Sequence, residues 1–472
     1  VAISSSTQIN VVIGVDLKTP HHGPGIYERE GWREGQTGQR TITFTRSSGD
    51  TEPTRYIVRW TGNDGIFSSG TTIRLPLNEP ISLPVTIDVK SSGVHSAILN
   101  LDDETTGAHS VYQVMNTVVA AEQFRAAENF IVSREGSAEY PSYTSYFFNV
   151  PERISAFKVD LKIHNGSLRL RFMRPSGKEV DSGHDVPVRW QSEYQTGGCV
   201  DRVIVAPEPG VWQVIVENQN LMLQGDSERQ RGRFLITATI FGAESRSSLN
   251  KPQVTSSNYF SSFDGYYGES PLGSAFSSHV TIADGDEPII YEINVPQGSN
   301  TVKASIDGPA TRAADVDLYL YFCAKECELK ALSTRSGVQK QVTVAQPKGG
   351  KWKVVIDPVS IPPGRLTLDY TDVFTHPAFG SLTPRSATVP FAQGINADTQ
   401  FAAKIDALPV NGRRLVGLAQ LTTHGPVTVR YEYNPATKTV EPIKERVTLA
   451  EALLELQREV PKMKPLSGAA RR

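Results

Sequence analysis

The chain has 472 residues, room for about three domains, and its 39% apolar content with 38 glycines is an ordinary globular composition. Its 48 Lys and Arg nearly balance its 50 Asp and Glu, leaving a net charge of −2, which argues against a nucleic-acid binder held by a basic field. No run of about 18 apolar residues occurs, so no transmembrane helix is expected, and three cysteines are too few for a disulfide scaffold.

The opening Val1-Ala2-Ile3-Ser4 lacks Met and a signal-like segment, which suggests a piece of a longer polypeptide. Strand signals then dominate to about residue 375. Arg40 to Arg46 alternates apolar and polar residues cleanly, and Arg55 to Trp60 does so roughly, as half-buried strands do. Further strands are expected at Leu83 to Val89, Val94 to Leu101 and Val111 to Ala120. Turn clusters separate them, among them Gly62-Asn63-Asp64-Gly65 and Ser91-Ser92-Gly93. Short strands spaced this way predict an Ig- or fibronectin-like β-sandwich over residues 1–125.

An internal repeat follows. Val203 to Glu217 and Val342 to Asp357 both run from a Val-rich strand through a Pro- and Gly-containing turn to Trp and a Val/Ile run. Pro207 corresponds to Pro347, and Trp212 to Trp352. The openings, Asn149-Val150-Pro151 and Asn294-Val295-Pro296, correspond at a slightly larger offset. Repetition at this length predicts two copies of a domain, 126–245 and 246–375, each closing on a hairpin with its Trp at the start of a core strand. The aromatic stretch Thr255 to Ser274 is expected to be the joint entering the second copy, packed between domains. In a glycan-binding protein, Tyr259, Tyr266 and Tyr267 would be its contacts.

Residues 376–472 change character. Strands are expected at Leu415 to Gln420 and Val427 to Tyr433. Thr448-Leu449-Ala450-Glu451 has the form of a capping box, and Leu449, Leu453, Leu454, Leu456 and Val460 share one apolar face, predicting a short C-terminal helix before Pro461. The basic end, Lys462 to Arg472, reads as a solvated tail. The predicted class is mainly β: tandem β-sandwiches with one short helix.

Catalytic signals are absent from the sequence. There is no G-x-S-x-G elbow, Walker pattern, HExxH or EF-hand loop. The nine histidines are scattered, and only His21-His22 are adjacent. Carboxylates cluster at Asp102-Asp103-Glu104, at Asp284 to Glu287, and at Asp315 with Asp317. The last two share one face of a strand and are the candidate Ca²⁺ ligands, since oxygen-rich loops bind this ion where carboxylates and carbonyls converge. No other metal or cofactor is expected. Cys323 and Cys327, if both sit on one strand, would lie about 13 Å apart, beyond disulfide reach, so they read first as ordinary strand or turn residues, with a bridge or a metal site as the alternatives.

Gly23 to Trp32 followed by Gly38 to Phe44 resembles the segment after the catalytic domain of subtilisin-like serine peptidases of the tripeptidyl peptidase II type. Leu83 to Asp88 and Gly93 to Leu99 extend that resemblance over about 1–125. Asp315 to Leu320 and Val342 to Val354 resemble a pre-peptidase C-terminal β-sandwich. The Asp, His and Ser motifs of the subtilisin-like triad, the Ser in a G-T-S-M-A type segment, have no counterpart in this sequence, so no catalytic residue carries over. The resemblance implies a non-catalytic C-terminal region that braces an upstream catalytic domain of the same polypeptide, engages protein or peptide substrate, or assists self-association. It also implies a secreted or periplasmic location. Neither nucleic acid nor a membrane span is expected as a partner. The competing reading is a free-standing extracellular binding or adhesion protein of tandem sandwiches.

Overall fold

A computed structural model describes residues 2–7, 21–180, 195–218, 231–248, 251–309, 314–334, 337–410, 412–434, 436–437 and 439–456. The chain forms two compact units, Val1–Ile240 with Thr428–Ile443, and Phe241–Val427 with Lys444–Arg472. Both are built from β-strands, as the alternation predicts.

The first unit begins with a sandwich. One sheet orders Ile3–Ser6, Thr37–Arg46, Pro80–Asp88 and Phe67–Ser69. The other orders His22–Gly23, Tyr112–Ala120, Gly93–Asp103, Thr54–Thr61 and Thr72–Leu75, with Tyr27–Trp32 parallel to Tyr112–Ala120. The alternation fixes the faces. Ile42 and Phe44 point inward from one sheet and meet Tyr56, Leu99, Leu101 and Val114 from the other.

The second sandwich of this unit holds the first repeat copy. Its 18-residue strand Ala156–Met173 pairs with Gln195–Val205 along its first part and with Gly210–Asn218 along its last. The register breaks between Ile163 and Ser167. Gly166 sits in this break with φ +87°, and a Cβ there would come within 2.5 Å of the Gly232 Cα. Only glycine fits both demands. Phe148, Phe157, Phe172, Trp212 and Phe234 fill the core. Thr428 is anchored to this sandwich, its N–H and hydroxyl both donating to the Asp201 carboxylate.

In the second unit, Ile289–Val295, Gly350–Ser360, Asp315–Cys323 and Cys327–Ser333 form a four-stranded sheet. It faces a twelve-stranded sheet that includes Lys340–Ala345, Thr301–Asp307, Leu366–Thr375 and Ser270–Ile282. The chain after residue 375 adds Gly380–Pro384, Asn396–Ile405, Arg414–Thr423 and Thr448–Glu455 to this larger sheet.

The repeated turn is the same in detail in both copies, but it does not close the expected hairpin, because the strands it joins pair with other strands: Gln195–Val205 with Ala156–Met173, Gly210–Asn218 with Ser142–Val150, Lys340–Ala345 with Thr301–Asp307, and Gly350–Ser360 with Ile289–Val295 and Asp315–Cys323. Ala206 and Gln346 both take a left-handed conformation, φ 45° and 48°, and Gly210 and Gly350 have φ 128° and 135°. The Trp212 indole donates to Glu208 O at 2.7 Å, and that of Trp352 to Lys348 O at 3.0 Å. The copies differ in one respect: the single strand Ala156–Met173 corresponds to two separate strands, Thr301–Asp307 and Asp315–Cys323.

Three further expectations are corrected. Thr448–Glu455 is a strand, not a helix. It pairs antiparallel with Arg414–Thr423. Ala450, Ala452 and Leu454 enter the main core, while Leu453 packs on the opposite face with Ala275, Val373 and Val416. A strand covered on both faces has apolar residues at nearly every position, and that run imitates a helical stripe. Val460, Pro461 and the basic end lie outside the described residues; among those described, the helical elements are the 3₁₀ turns Ala126–Glu128 and Pro377–Phe379. Secondly, Cys323 and Cys327 are joined in a disulfide. The chain reverses between them, bringing their Cα atoms to 4.0 Å as facing residues of a hairpin. Thirdly, the aromatic stretch packs within the second unit rather than between domains. Tyr267 is wholly buried, its hydroxyl 2.6 Å from Ser256 Oγ, and Phe263 stacks on Phe391.

Candidate functional site

Asp315 and Asp317 lie on one strand face, as their spacing predicts, but that face already carries a cation. The side chain of Lys340 is wholly buried, with its Nζ 3.4 Å from Asp315 Oδ1 and 3.9 Å from Asp317 Oδ1. Asp315 also accepts from the Gly337 N–H, and Asp317 from the Tyr319 hydroxyl at 3.0 Å. Desolvation, with Asp317 beside it, pushes the Tyr319 phenol up to about 12. The Lys340 side chain thus shares this face with both carboxylates. Among the described residues no group of three or more His, Cys, Asp or Glu converges on a metal-sized site.

The other acidic clusters hold turns together. Asp103 caps the N–H groups of Thr105 and Thr106, and Asp286 that of Ala283. Asp284 accepts from the Ile361 N–H. Asp102 takes the Arg59 guanidinium and the Ser110 N–H; against the opposing push of burial, these contacts hold its carboxyl below the usual range. The histidines are engaged similarly. His95 is buried with Nδ1 on Asp64 at 2.6 Å and Nε2 on Ser91 O at 2.9 Å, while His279 pairs with Asp369 in the open. His376 caps a 3₁₀ turn through the Ala378 N–H.

The three tyrosines picked as glycan contacts do not form a platform. Tyr267 is in the core. Tyr266 lies under the Arg446 guanidinium, 3.7 Å from its ring centroid. Tyr259 is 41% exposed with its hydroxyl donating to Glu244.

Two buried polar clusters in the second unit were missed by sequence reasoning. Lys303 pairs with Glu451, which also accepts from Gln420 at 2.7 Å. Burial lowers the Lys303 ammonium to about 8. Beside it is an open cleft of about 280 Å³ lined by Ser305, Asp307, Asp369, Thr371 and Leu453. Deeper in the unit, Arg413 donates to the Asp372 carboxylate and to Ser274 Oγ, and Tyr370 donates to Asp372 at 3.0 Å. Burial raises the Asp372 carboxyl above its usual value despite Arg413. Each cluster joins residues tens of positions apart, and no local spacing marks them.

The first unit has a different kind of feature, a seam between its two sandwiches. Val119, Ala121, Phe147 and Val211 form a buried apolar cluster across it. Arg29 donates to the carbonyls of Arg174, Pro175 and Val211. Glu122 accepts from Ser92 Oγ and from Nε and Nη2 of Arg134, each at 2.7 Å. On the outer face of the sheet that carries Val119, Met115 is 63% exposed, Val94 48% and Tyr27 41%.

Comparison with known proteins places this first sandwich. Residues 5–120 match the family model described as the Ig-like domain in actinomycete serine proteases. Pyrolysin of Pyrococcus furiosus is 26% identical over 310 residues, covering 62% of this chain and 20% of pyrolysin. The chain therefore spans about one fifth of the length of that curated relative. Among solved structures, tripeptidyl peptidase 2 aligns over 93% of this chain and 40% of its own at 10% identity, with a TM-score of 0.40. The secreted serine protease VesC from Vibrio cholerae aligns over 44% of this chain and 49% of its own at 11% identity, with a TM-score of 0.23. The chain thus contains a sandwich similar to a domain of serine proteases, and no helix among its described residues is long and apolar enough to cross a membrane.

Proposed function

We propose that this chain is the non-catalytic region following the peptidase domain of a secreted subtilisin-like serine protease, and that its sandwiches brace that domain. The observation that carries the reading is the match of residues 5–120 to an Ig-like domain of serine proteases. The similarity to pyrolysin, which extends over 310 residues, supports it beyond that one sandwich. The polar clusters described above support a structural role, since their charged groups are matched within the fold. The Cys323–Cys327 bridge suits an oxidising compartment.

The test begins with the coding sequence on either side of this chain. An Asp, His and Ser subtilisin-like domain is expected upstream. Deleting this region from the intact polypeptide should then lower the temperature at which peptidase activity is lost. Flanks that encode no peptidase would overturn the proposal, and an unchanged inactivation temperature would remove the bracing role.

A further inference from the structure

We propose that the outer face of the sheet formed by Tyr27–Trp32, Tyr112–Ala120 and Gly93–Asp103 is the surface on which the peptidase domain of the same polypeptide docks. This rests on the function proposed above and names the surface it uses.

Strand alternation decides which side chains point outward. On Tyr112–Ala120 they are Met115, Thr117 and Val119. Across Gly93–Asp103 the register sets Ile98 opposite Met115, Ser96 opposite Thr117 and Val94 opposite Val119. On the other flank Tyr27 lies beside Thr117. The outward face of an antiparallel sheet is normally polar when water covers it. The far end of this same face follows that rule: Arg59, Asn100, Asp102, Ser110 and Gln113 form one hydrogen-bonded network. The near end breaks it. Met115, Val94 and Tyr27 are exposed there, with Ile98 half-buried between them. The polar groups in the middle leave little for a partner to satisfy, because the Ser96 and Thr117 hydroxyls are 2.9 Å apart and bond each other.

This apolar end continues into an interface that already exists. Val119, the cross-strand partner of exposed Val94, is 5% exposed because the second sandwich covers it. Arg29, two residues beyond Tyr27 on the same strand, reaches the second sandwich's backbone carbonyls. The strip therefore runs from a covered half to an uncovered half, interrupted only by the mutually bonded Ser96 and Thr117 hydroxyls. An uncharged, mostly apolar surface of this kind suits a permanent neighbour rather than a charged ligand or polymer. The sandwich that carries it is the part of the chain matched to a domain of serine proteases, which makes the attached peptidase domain the neighbour of choice.

Met115 is a built-in probe. Dilute hydrogen peroxide should oxidise it quickly in the 472-residue chain, and at least tenfold more slowly in the intact polypeptide, read by peptide mass spectrometry. Met115→Glu, at an exposed site, should leave the melting of the 472-residue chain unchanged and should speed limited proteolysis between the domains of the intact polypeptide. If an upstream peptidase domain is present and Met115 oxidises equally fast in both forms, the surface assignment fails while the proposed function stands. Flanking sequence that encodes no peptidase ends both. Protection of Met115 that rises with the concentration of the 472-residue chain makes the occupant a second copy and overturns the proposal.

Discussion

Replacing Arg413 by Met tests whether the buried cluster around Asp372 holds the second unit together. The Asp372 side chain is 2% exposed and that of Arg413 14%. In Arg413→Met the carboxylate keeps only the Tyr370 hydroxyl among the partners described above, and Ser274 loses its donor. Removing one member of a buried pair costs about 3–5 kcal/mol, because the other charge is left uncompensated. In a unit of about 215 residues, each kcal/mol moves the melting temperature by about 2–4 °C, so the expected fall is about 6–20 °C. Calorimetry reads it, and the second unit's transition is identified by its sensitivity to a reductant, since Cys323 and Cys327 lie within it. The direction of the pH effect follows from the raised Asp372 carboxyl. Between the ordinary value of 3.8 and its raised value, the native chain keeps a proton that the unfolded chain releases, so stability falls as pH rises through that window. Without Arg413 that window should reach to higher pH. Adding Asp372→Asn removes the buried charge, keeps an acceptor for Tyr370, and should restore at least half the loss while flattening the pH slope. A cost below about 1 kcal/mol for Arg413→Met, the range of an exposed pair, or a double variant as unstable as the single one, would refute the reasoning.

Other expectations follow from the same contacts. Removing the Cys323–Cys327 bridge, which closes a loop spanning four positions, should cost about 2 kcal/mol by loop-closure entropy; a reductant that leaves the thermal transition unmoved contradicts this. The native chain gives up the Lys303 proton near pH 8, whereas the unfolded chain keeps it to 10.5, so stability should climb with pH between those values. Lys303→Met should flatten that climb in urea unfolding. Arg29→Ala should speed hydrogen exchange or proteolysis around Arg174 and Pro175, because it removes donors from their carbonyls; unchanged protection there would mean the seam is held by its apolar cluster and the Glu122 contacts without Arg29.

Legibility followed the range of the interactions. Period-two alternation at Arg40 to Arg46 and the turn residues around it are local, and the first sandwich was readable from them. The duplicated turn was readable because its chemistry is local too: Gly210 and Gly350 permit the positive φ, and each Trp bonds four residues back; that its flanking strands pair elsewhere instead of forming a hairpin depends on distant strands and was not readable. Thr448–Glu455 was misread because its second covered face comes from Val373 and Ala275, far away in sequence. The cysteines were misread because the turn between them reversed a chain assumed straight. At the candidate cation site, the sequence supplied the two carboxylates but not Lys340, which reaches them only after folding. The seam and the exposed strip beside it were likewise invisible, since exposure depends on which neighbour arrives.

The unbroken strand Ala156–Met173 gives the two copies of the repeat different mechanics. In the first copy one run of peptide bonds crosses from the pairing with Gln195–Val205 to the pairing with Gly210–Asn218, turning at Gly166. A load on either pairing passes to the other along covalent bonds, and sliding one sheet over the other requires that strand to bend. In the second copy the corresponding strands are separate, so the same load crosses the sandwich through side-chain packing around Trp352 and Leu318. The copy that shares a unit with the Ig-like sandwich therefore couples its two pairings through backbone, and the later copy couples its sheets through side-chain packing.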